Sequence, residues 1–306
     1  MATSASAVAG SVIRVPDDFA ALQGAVNAAQ PGDVIRVAAG TCCERVVITT
    51  SDLRIEAAPA EGTSGTILTG TCSEVAGLGY GFLVQGTAAA PVTGVEISGF
   101  VVEGFETGFA LVYAAHSRLH GNEARFNALV SCSSIPGANC SHGIVLQNST
   151  FNDITENSLH DNGHLGIGLR NGSSNNLVRG NRLYDNQTDG DNCSLMLWGT
   201  ANADNQIVEN EVVDTRGRGI MIGPGPSVGN VIAQNRVHGH PGAGIIAMGP
   251  AATPAYGNFI LQNDARGNAT DPSWGDSDLV DLFAIDNVWL RNLGTCAPAS
   301  ICGGQH

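Results

Sequence analysis

A pair of asparagines five residues apart recurs along the C-terminal half of this chain and constrains its fold more than any other feature. The pairs are Asn152/Asn157, Asn176/Asn181, Asn205/Asn210, Asn230/Asn235, Asn258/Asn263 and Asn287/Asn292. By subtraction, the second asparagines are 24, 29, 25, 28 and 29 residues apart. This period is the length of one solenoid coil and is too short for a repeat built from a pair of helices.

A short apolar segment with alternating side chains closes each repeat, at residues 143–146, 166–169, 194–197, 219–222 and 244–247. The alternation places Ile144 and Leu146 on one face, as in a strand with one buried side. One coil therefore consists of three short strands separated by turns. We predict an all-β fold, a single-stranded right-handed parallel β-helix (solenoid) with an N-terminal capping helix.

The asparagines have a specific role in such a solenoid. We expect their amides to stack, each donating to and accepting from the neighbouring coils, at bends with a left-handed backbone. A simple loop-forming role would explain many asparagines, but it does not explain a fixed five-residue pair.

Length and composition favour one domain over residues 1–306, since a solenoid grows by adding coils and needs no linker. The 40 glycines and the 5% aromatic content are typical of a turn-rich β chain. We expect an N-terminal cap of a strand and a helix over residues 11–40. The segment 293–306 is predicted to form a C-terminal cap or tail.

The formal net charge of −14 argues against nucleic acid and membrane partners. All 14 basic residues are arginine. A polyanionic ligand is also disfavoured, unless a local arginine cluster or a bound cation makes the charge of the binding surface positive. The expected partner is a carbohydrate or other small-molecule substrate, and a homo-oligomer is left open.

Eight cysteines without zinc-finger spacing indicate disulfides and an exported protein. The N-terminal residues lack the pattern of a signal peptide, as expected of a secreted protein whose leader has been removed. Two local bridges are predicted, Cys132–Cys140 and Cys296–Cys302. Connectivity among Cys42, Cys43, Cys72 and Cys193 stays open, with Cys193 read as a disulfide partner and not as a nucleophile.

Two segments carry a resemblance to known families. Asp17 and Asp18 are predicted to start a helix, which PGD at residues 31–33 ends. This helix, the segment PGDVIRV at 31–37 and AAGT at 38–41 resemble the start of the pectate-lyase-like β-helix superfamily. HDNGHLGI at 160–167 is similar to the repeat phrase of mannuronan C5-epimerases and β-helix lyases, a likeness that extends over residues 92–292. The Asp-Pro-His signature of those epimerases is missing, so no family's catalytic residues are transferred.

The candidate site is a groove on the outer side of the apolar strands and the loops that precede them, because a β-helix core is filled with apolar side chains. The predicted catalytic residues are Arg170, His164, Asp191, Arg218 and His142. The predicted substrate-binding residues are Trp198, Gln147, Met196, Met221 and Asp189.

Each candidate has a chemical reason and a plainer alternative. Trp198 would be a sugar platform and Arg170 would hold a carboxylate, but the indole could instead lie packed under a loop. His164 and His142 suit general bases, although loop histidines are often only solvated. Asp189 and Asp191 resemble a small calcium loop or an acid pair, and turn chemistry also favours them. The row of Met196, Met221 and Met248 indicates an apolar surface covered by a loop, a subunit contact or a less polar substrate.

These residues predict a secreted carbohydrate-active enzyme that cleaves a polysaccharide, with β-elimination favoured and calcium as the one candidate cofactor. The alternatives are a glycoside hydrolase or C5-epimerase on the same fold, an isomerase or cyclase of a small apolar substrate, and a non-catalytic binding β-helix. A hydrolase needs two opposed carboxylates. The residues placed for that role are Asp185, Asp189, Asp191 and Asp214.

Overall fold

The computed structural model describes residues 10–58, 65–72, 79–127, 141–186, 193–213, 216–249, 255–282 and 286–302. Three long sheets run side by side through this part of the chain, and all their strands pair in parallel. From Val34 to Met248 each turn of the chain adds one strand to each sheet in the same order. The chain is therefore a parallel β-helix, as the repeat predicted.

Sheet A has eleven strands. Their bounds are Val12–Val15, Val34–Val37, Arg54–Ala57, Glu96–Ser98, Arg118–His120, Asp153–Thr155, Leu177–Arg179, Gln206–Val208, Val231–Ala233, Phe259–Leu261 and Val288–Leu290. Sheet B has eight strands, and in most coils its strand follows the sheet A strand after one or two residues. Their bounds are Gly40–Cys42, Thr66–Thr69, Phe100–Glu103, Glu123–Arg125, Ser158–His160, Arg182–Tyr184, Glu211–Val213 and Arg236–His238.

Sheet C has ten strands and contains the predicted apolar segments. Their bounds are Val46–Ile48, Tyr80–Gln85, Thr107–Val112, His142–Gln147, Ile167–Arg170, Cys193–Trp198, Arg218–Ile222, Ile245–Met248, Leu279–Leu282 and Cys296–Ala297. Two small sheets pair Val92–Thr93 with Ala114–Ala115 and Asn202–Ala203 with Ser227–Val228. Short 3-10 helices span Pro272–Trp274 and Ala299–Cys302.

The α-helix Leu22–Ala28 lies at the N-terminal end and buries Leu22, Ala25 and Val26 against the first coils. It begins later than predicted, since the aspartates at 17 and 18 precede it by several residues. The backbone N–H groups of Leu22 and Gln23 donate to the carboxylate of Glu44 at 2.7 and 2.8 Å. A carboxylate from the next coil therefore caps this helix, which local sequence signals do not reveal. None of the described helices is long and apolar enough to cross a membrane.

The predicted asparagine ladder is present. Asn181 illustrates its bonding, because its Nδ2 donates to Asn210 Oδ1 at 3.0 Å and to Ile154 O at 2.8 Å. Its Oδ1 accepts from the backbone N–H and the Nδ2 of Asn157, each at 3.0 Å. The second asparagine of each pair satisfies buried backbone groups at the turn between sheets A and B. The first does the same at the turn before sheet A, where Asn176 Nδ2 donates to Ser149 O at 3.0 Å.

The left-handed backbone falls one residue earlier than predicted. Glu156, Glu209 and Gln234 each precede a ladder asparagine and have φ of 56°, 56° and 57°. The paired asparagines themselves do not have a positive φ. Their role at the turn is therefore hydrogen bonding by the amide, and not tolerance of a left-handed backbone.

Two disulfides lie within the described residues. Cys296–Cys302 confirms the prediction for the C-terminal segment, while Cys132 and Cys140 lie outside the described residues. Cys43 bonds to Cys72, 29 residues later, which is about one coil. The prediction that Cys193 is a disulfide partner is wrong: Cys193 is a buried free thiol, and the apolar cluster of described residues around it contains no second cysteine.

Candidate functional site

The outer face of sheet C is more apolar and more deeply covered than an open groove would be. Five outward positions stand in register across consecutive coils: Val145, Gly168, Met196, Met221 and Ile246. They are buried, with Met196 8% and Met221 4% exposed.

A second apolar cluster, separate from the core inside the coils, accounts for this burial. It contains Leu165, Cys193, Met196, Met221, Ala243 and Ile246, with Trp198, Met248 and Val280 packed against it. Leu165, Cys193 and Ala243 come from the starts of the strands or from the turns before them. The methionine row is thus covered by the chain itself, which was one of the three possibilities for it, and its role with substrate stays a prediction.

Four of the predicted site residues meet at one edge of this cluster. The imidazole rings of His142 and His164 stack with centroids 5.0 Å apart. The indole of Trp198 lies edge-on to His142 at 5.9 Å, and the Arg170 guanidinium lies 5.7 Å from the indole centroid. We call this group the His–Arg–Trp cluster.

A glycine explains the position of the indole. Trp198 and Gly168 lie on neighbouring strands, and a Cβ on Gly168 would come within 2.5 Å of the indole Cζ3. The same Cβ would approach Leu165 Cδ1 at 3.1 Å. The absence of a side chain at 168 therefore lets Trp198 lie across the strand toward His142.

Burial sets the electrostatics of His142, which is 2% exposed. Desolvation lowers the pKa of His142 well below its ordinary value, and the nearby His164 and Arg170 lower it further. The backbone N–H of Leu165 donates to His142 Nδ1 at 3.3 Å. His142 is therefore a neutral imidazole with its proton on Nε2, while the half-buried His164 is the more accessible ring of the pair.

Arg170 is half-buried, and desolvation lowers its pKa while Tyr80 acts in the opposite direction. Tyr80 begins the sheet C strand two coils before His142, with Thr107 between them in register. Glu106, next to Thr107, is 8% exposed and accepts a hydrogen bond from the Gly79 N–H at 3.0 Å. Sequence reasoning missed Tyr80 and Glu106, because the early coils lack the asparagine pairs that fix the register.

The remaining predicted site residues are more dispersed. Gln147 stands in register with Arg170, at the end of the neighbouring strand. Arg218 stands in register with Cys193, at the opposite end of the strands from Arg170. Asp189, Asp191 and Asp214 lie outside the described residues, as does any calcium site built on them. Within the described ranges, no group of three or more His, Cys, Asp or Glu side chains is placed to hold a metal ion.

Cys193 and Met221 both belong to the second apolar cluster, on the outer face of sheet C. Burial raises the pKa of the Cys193 thiol, with Arg218 acting against that shift. A thiol held protonated in an apolar cluster is a poor nucleophile, so Cys193 contributes packing.

Comparison with known proteins agrees with this architecture. Over 134 residues, 42% of this chain, the sequence is 30% identical to a mannuronan C5-epimerase of Pseudomonas syringae pv. tomato. This chain spans only 22% of that relative's length.

Solved structures extend the likeness to nearly the whole chain. ORF18 of Geobacillus virus E2 superposes with a TM-score of 0.59 and 16% identity, over 90% of this chain and 60% of that one. The A-module of the Azotobacter vinelandii mannuronan C-5 epimerase AlgE6 gives 0.54 and 14%, over 90% and 77%. At these identities the structural likeness concerns the fold.

A family model described as the right handed beta helix region matches residues 61–260. This match covers most of the chain and confirms both the predicted handedness and the resemblance to β-helix proteins. The chain belongs to the right-handed β-helix family.

Proposed function

We propose that this chain is an exported enzyme that acts on a uronate-containing polysaccharide and removes the proton next to the sugar carboxylate. The observation that carries the proposal is the His–Arg–Trp cluster, in which a base, a cation and an aromatic platform lie together on sheet C. Two similar proteins, from Pseudomonas syringae and Azotobacter vinelandii, are named mannuronan C5-epimerases, whose named substrate is a polyuronate.

Each member of the cluster has a distinct part. The Trp198 face supports a sugar ring, and the Arg170 guanidinium binds the uronate carboxylate. Neutralising that carboxylate stabilises the carbanion-like charge that develops when the neighbouring proton leaves. His164 is the base, because its ring is the more exposed of the two and imidazole is the side chain most often used as a general base.

His142 acts through His164 as a positioning residue. Its buried ring, fixed by the Leu165 N–H, stacks on His164 and holds the orientation of that ring. Because His142 stays neutral, it adds no second positive charge beside Arg170.

Two outcomes share this first step. In β-elimination, His164 takes the proton from C5, the electron pair forms the C4–C5 double bond, and the C4–O bond breaks as the leaving oxygen takes a proton from water. The protonated His164 then returns its proton to the solvent. In epimerisation, a proton returns to C5 from the other face and no bond of the chain breaks. We favour β-elimination, and epimerisation is the alternative that the two epimerase relatives support.

The test is incubation of the protein with mannuronan, polygalacturonate and a neutral glucan in D2O. Elimination produces the absorbance of an unsaturated uronate, whereas epimerisation produces deuterium at C5 without that absorbance. R170Q and H164Q are each expected to lower kcat/KM by about 100-fold or more. R179Q is the matched control, since Arg179 lies on sheet A and pairs with Glu209 at 2.8 Å.

Unchanged turnover in both R170Q and H164Q would remove this site from the reaction. New reducing ends without either signal would identify a hydrolase instead.

A further inference from the structure

A second concave site lies on the outer face of sheet B, away from the His–Arg–Trp cluster. It is a cavity of about 510 Å³ lined by Arg236, His238, Gly239, Asp264, Arg266 and Gly267. The backbone of Arg236 forms an isolated parallel β-bridge with Asp264 on the next coil. The lining residues therefore come from two successive coils, each with its turn glycine.

The charge of this cavity is opposite to that of the chain. Its lining has two guanidiniums and one carboxylate, while the whole chain has a formal net charge of −14. Arg266 pairs with Asp264 through two hydrogen bonds of 2.8 and 2.7 Å. Arg236 has a longer contact of 3.4 Å with Glu211, and its side chain is 65% exposed. A guanidinium has five N–H donors, so one long contact leaves most of them available to a ligand.

His238 supplies a second, independent observation. Its Nε2 atom is shielded from solvent and has no hydrogen-bond partner within the described residues. Buried polar atoms of this kind are rare in folded proteins and mark a place where an ordered water, an ion or a local rearrangement completes the bonding. His238 is part of the same wall as Arg236, two residues away on the same strand.

We propose that this cavity binds one carboxylate-bearing sugar unit. Arginine donors match a carboxylate, while Asp264 can accept hydrogen bonds from hydroxyl groups, and the lining residues are polar or glycine. The volume lies within the usual range for small-ligand sites, about 300–1,000 Å³. The site would hold a polyuronate chain at a second point on the molecule, independent of the chemistry on sheet C.

The experiment is calorimetric titration of the full chain with three probes: trigalacturonate, the neutral trisaccharide galactotriose, and citrate. All titrations use the R170Q background as well as the wild type, so that binding at the His–Arg–Trp cluster is separated. In the R170Q background, R236Q and R266Q are each expected to weaken trigalacturonate binding about five- to tenfold. R179Q removes the same charge from sheet A and is expected to change the affinity less than about twofold.

Three outcomes would overturn the proposal. Equal affinity in R236Q, R266Q and R179Q would remove the cavity as a site. Galactotriose binding as tightly as trigalacturonate would remove the role of the carboxylate. Citrate binding as tightly would make the site a general anion site and not a saccharide site. R266K, which keeps the charge, should recover part of the affinity. Because the readout is binding and not turnover, an inactive sheet C site would leave this test intact.

Discussion

The outer faces of sheets B and C are built on the same coils and differ in almost every physical respect. On sheet C the outward row is apolar and buried, and His142 and Arg170 both have their pKa lowered by desolvation. On sheet B several outward side chains form ion pairs. Examples are Arg125 with Glu103 at 2.9 Å and Arg182 with Glu211 at 3.3 Å.

This difference shows how a solenoid separates stability from function. The asparagine ladder and the apolar interior fix the coil geometry for all three sheets, so an outward residue is free to vary. An apolar outward row excludes water and strengthens electrostatic effects, which the reaction proposed for sheet C would use. A charged outward row stays hydrated, and its ion pairs are screened.

The largest effect is expected where both faces depend on one residue. Asn181 lies at the turn between sheets A and B, and N181L keeps a similar branched shape but leaves Ile154 O and the Asn157 N–H without their partner. Each buried group left unpaired costs about 1–3 kcal/mol. The free energy of unfolding should therefore fall by about 4 kcal/mol, as measured by urea denaturation.

A neighbouring asparagine provides the control. Asn175 is exposed and has φ of 58°. N175G keeps the left-handed backbone at little cost and should change stability by less than about 1 kcal/mol. If N181L were no less stable than N175G, the ladder would not be a main support of the coils.

The next effect concerns the covered face of sheet C alone. G168A places a methyl group within 2.5 Å of the Trp198 indole, so the ring must move or the strand must shift. Overpacking of this kind costs up to about 3 kcal/mol. The tryptophan signal in near-UV circular dichroism should change, and activity on the proposed substrate should fall. G65A is the control, since its Cβ would meet nothing within 4 Å. An unchanged tryptophan signal in G168A would contradict the packing described for Trp198.

A third effect follows from the desolvated His142. Its folded pKa lies below the unfolded value of about 6.5, so this residue favours the folded state at higher pH. As pH falls below about 6.5, the unfolded chain binds a proton that the folded chain does not, and stability is lost at up to about 1.4 kcal/mol per pH unit. Between pH 6.5 and 5 the loss from His142 is at most about 2 kcal/mol.

H142Q should remove that part of the pH dependence, as measured by urea denaturation at pH 7.5, 6.5 and 5. H116Q is the control, because His116 is exposed and glutamine occurs elsewhere in this chain with a similar positive φ, at Gln234. Equal slopes for wild type and H142Q would argue against a buried neutral ring. Burial also lowers the pKa of His240 to about 4, so His240 adds a further loss of stability at low pH. This loss occurs in both the wild type and H142Q.

The sequence predicted the parts of the molecule that repeat. The asparagine pairs fixed the coil length, so the strand His142–Gln147 and the adjacency of Arg170 and Trp198 followed from the register. Features that depend on contacts between distant segments did not follow. The cover over Met196 and the cap that Glu44 places on the helix are of this kind. The coil-length separation of Cys43 and Cys72 was a usable signal that local spacing rules overlook.

The charged cavity of sheet B was missed for a different reason. Arg236, Asp264 and Arg266 each resemble ordinary solvated residues, and only the alignment of two coils brings them together. Charge counting over the whole chain hides such a site, because a net charge of −14 argues against anionic ligands unless arginines cluster.

The smallest effect is expected on sheet B itself. Arg182 contacts Glu211 at 3.3 Å and lies 4.6 Å from the Tyr184 ring centroid, but its side chain is 62% exposed. Exposed ion pairs and cation–π contacts contribute about 0.5 kcal/mol each, so R182Q should lose no more than about 1 kcal/mol. Part of this loss should disappear in 1 M NaCl, where the Debye length is about 3 Å. A loss as large as that of G168A would mean that the ion pairs of sheet B support the fold, and the contrast between the two faces would then be one of composition and not of energy.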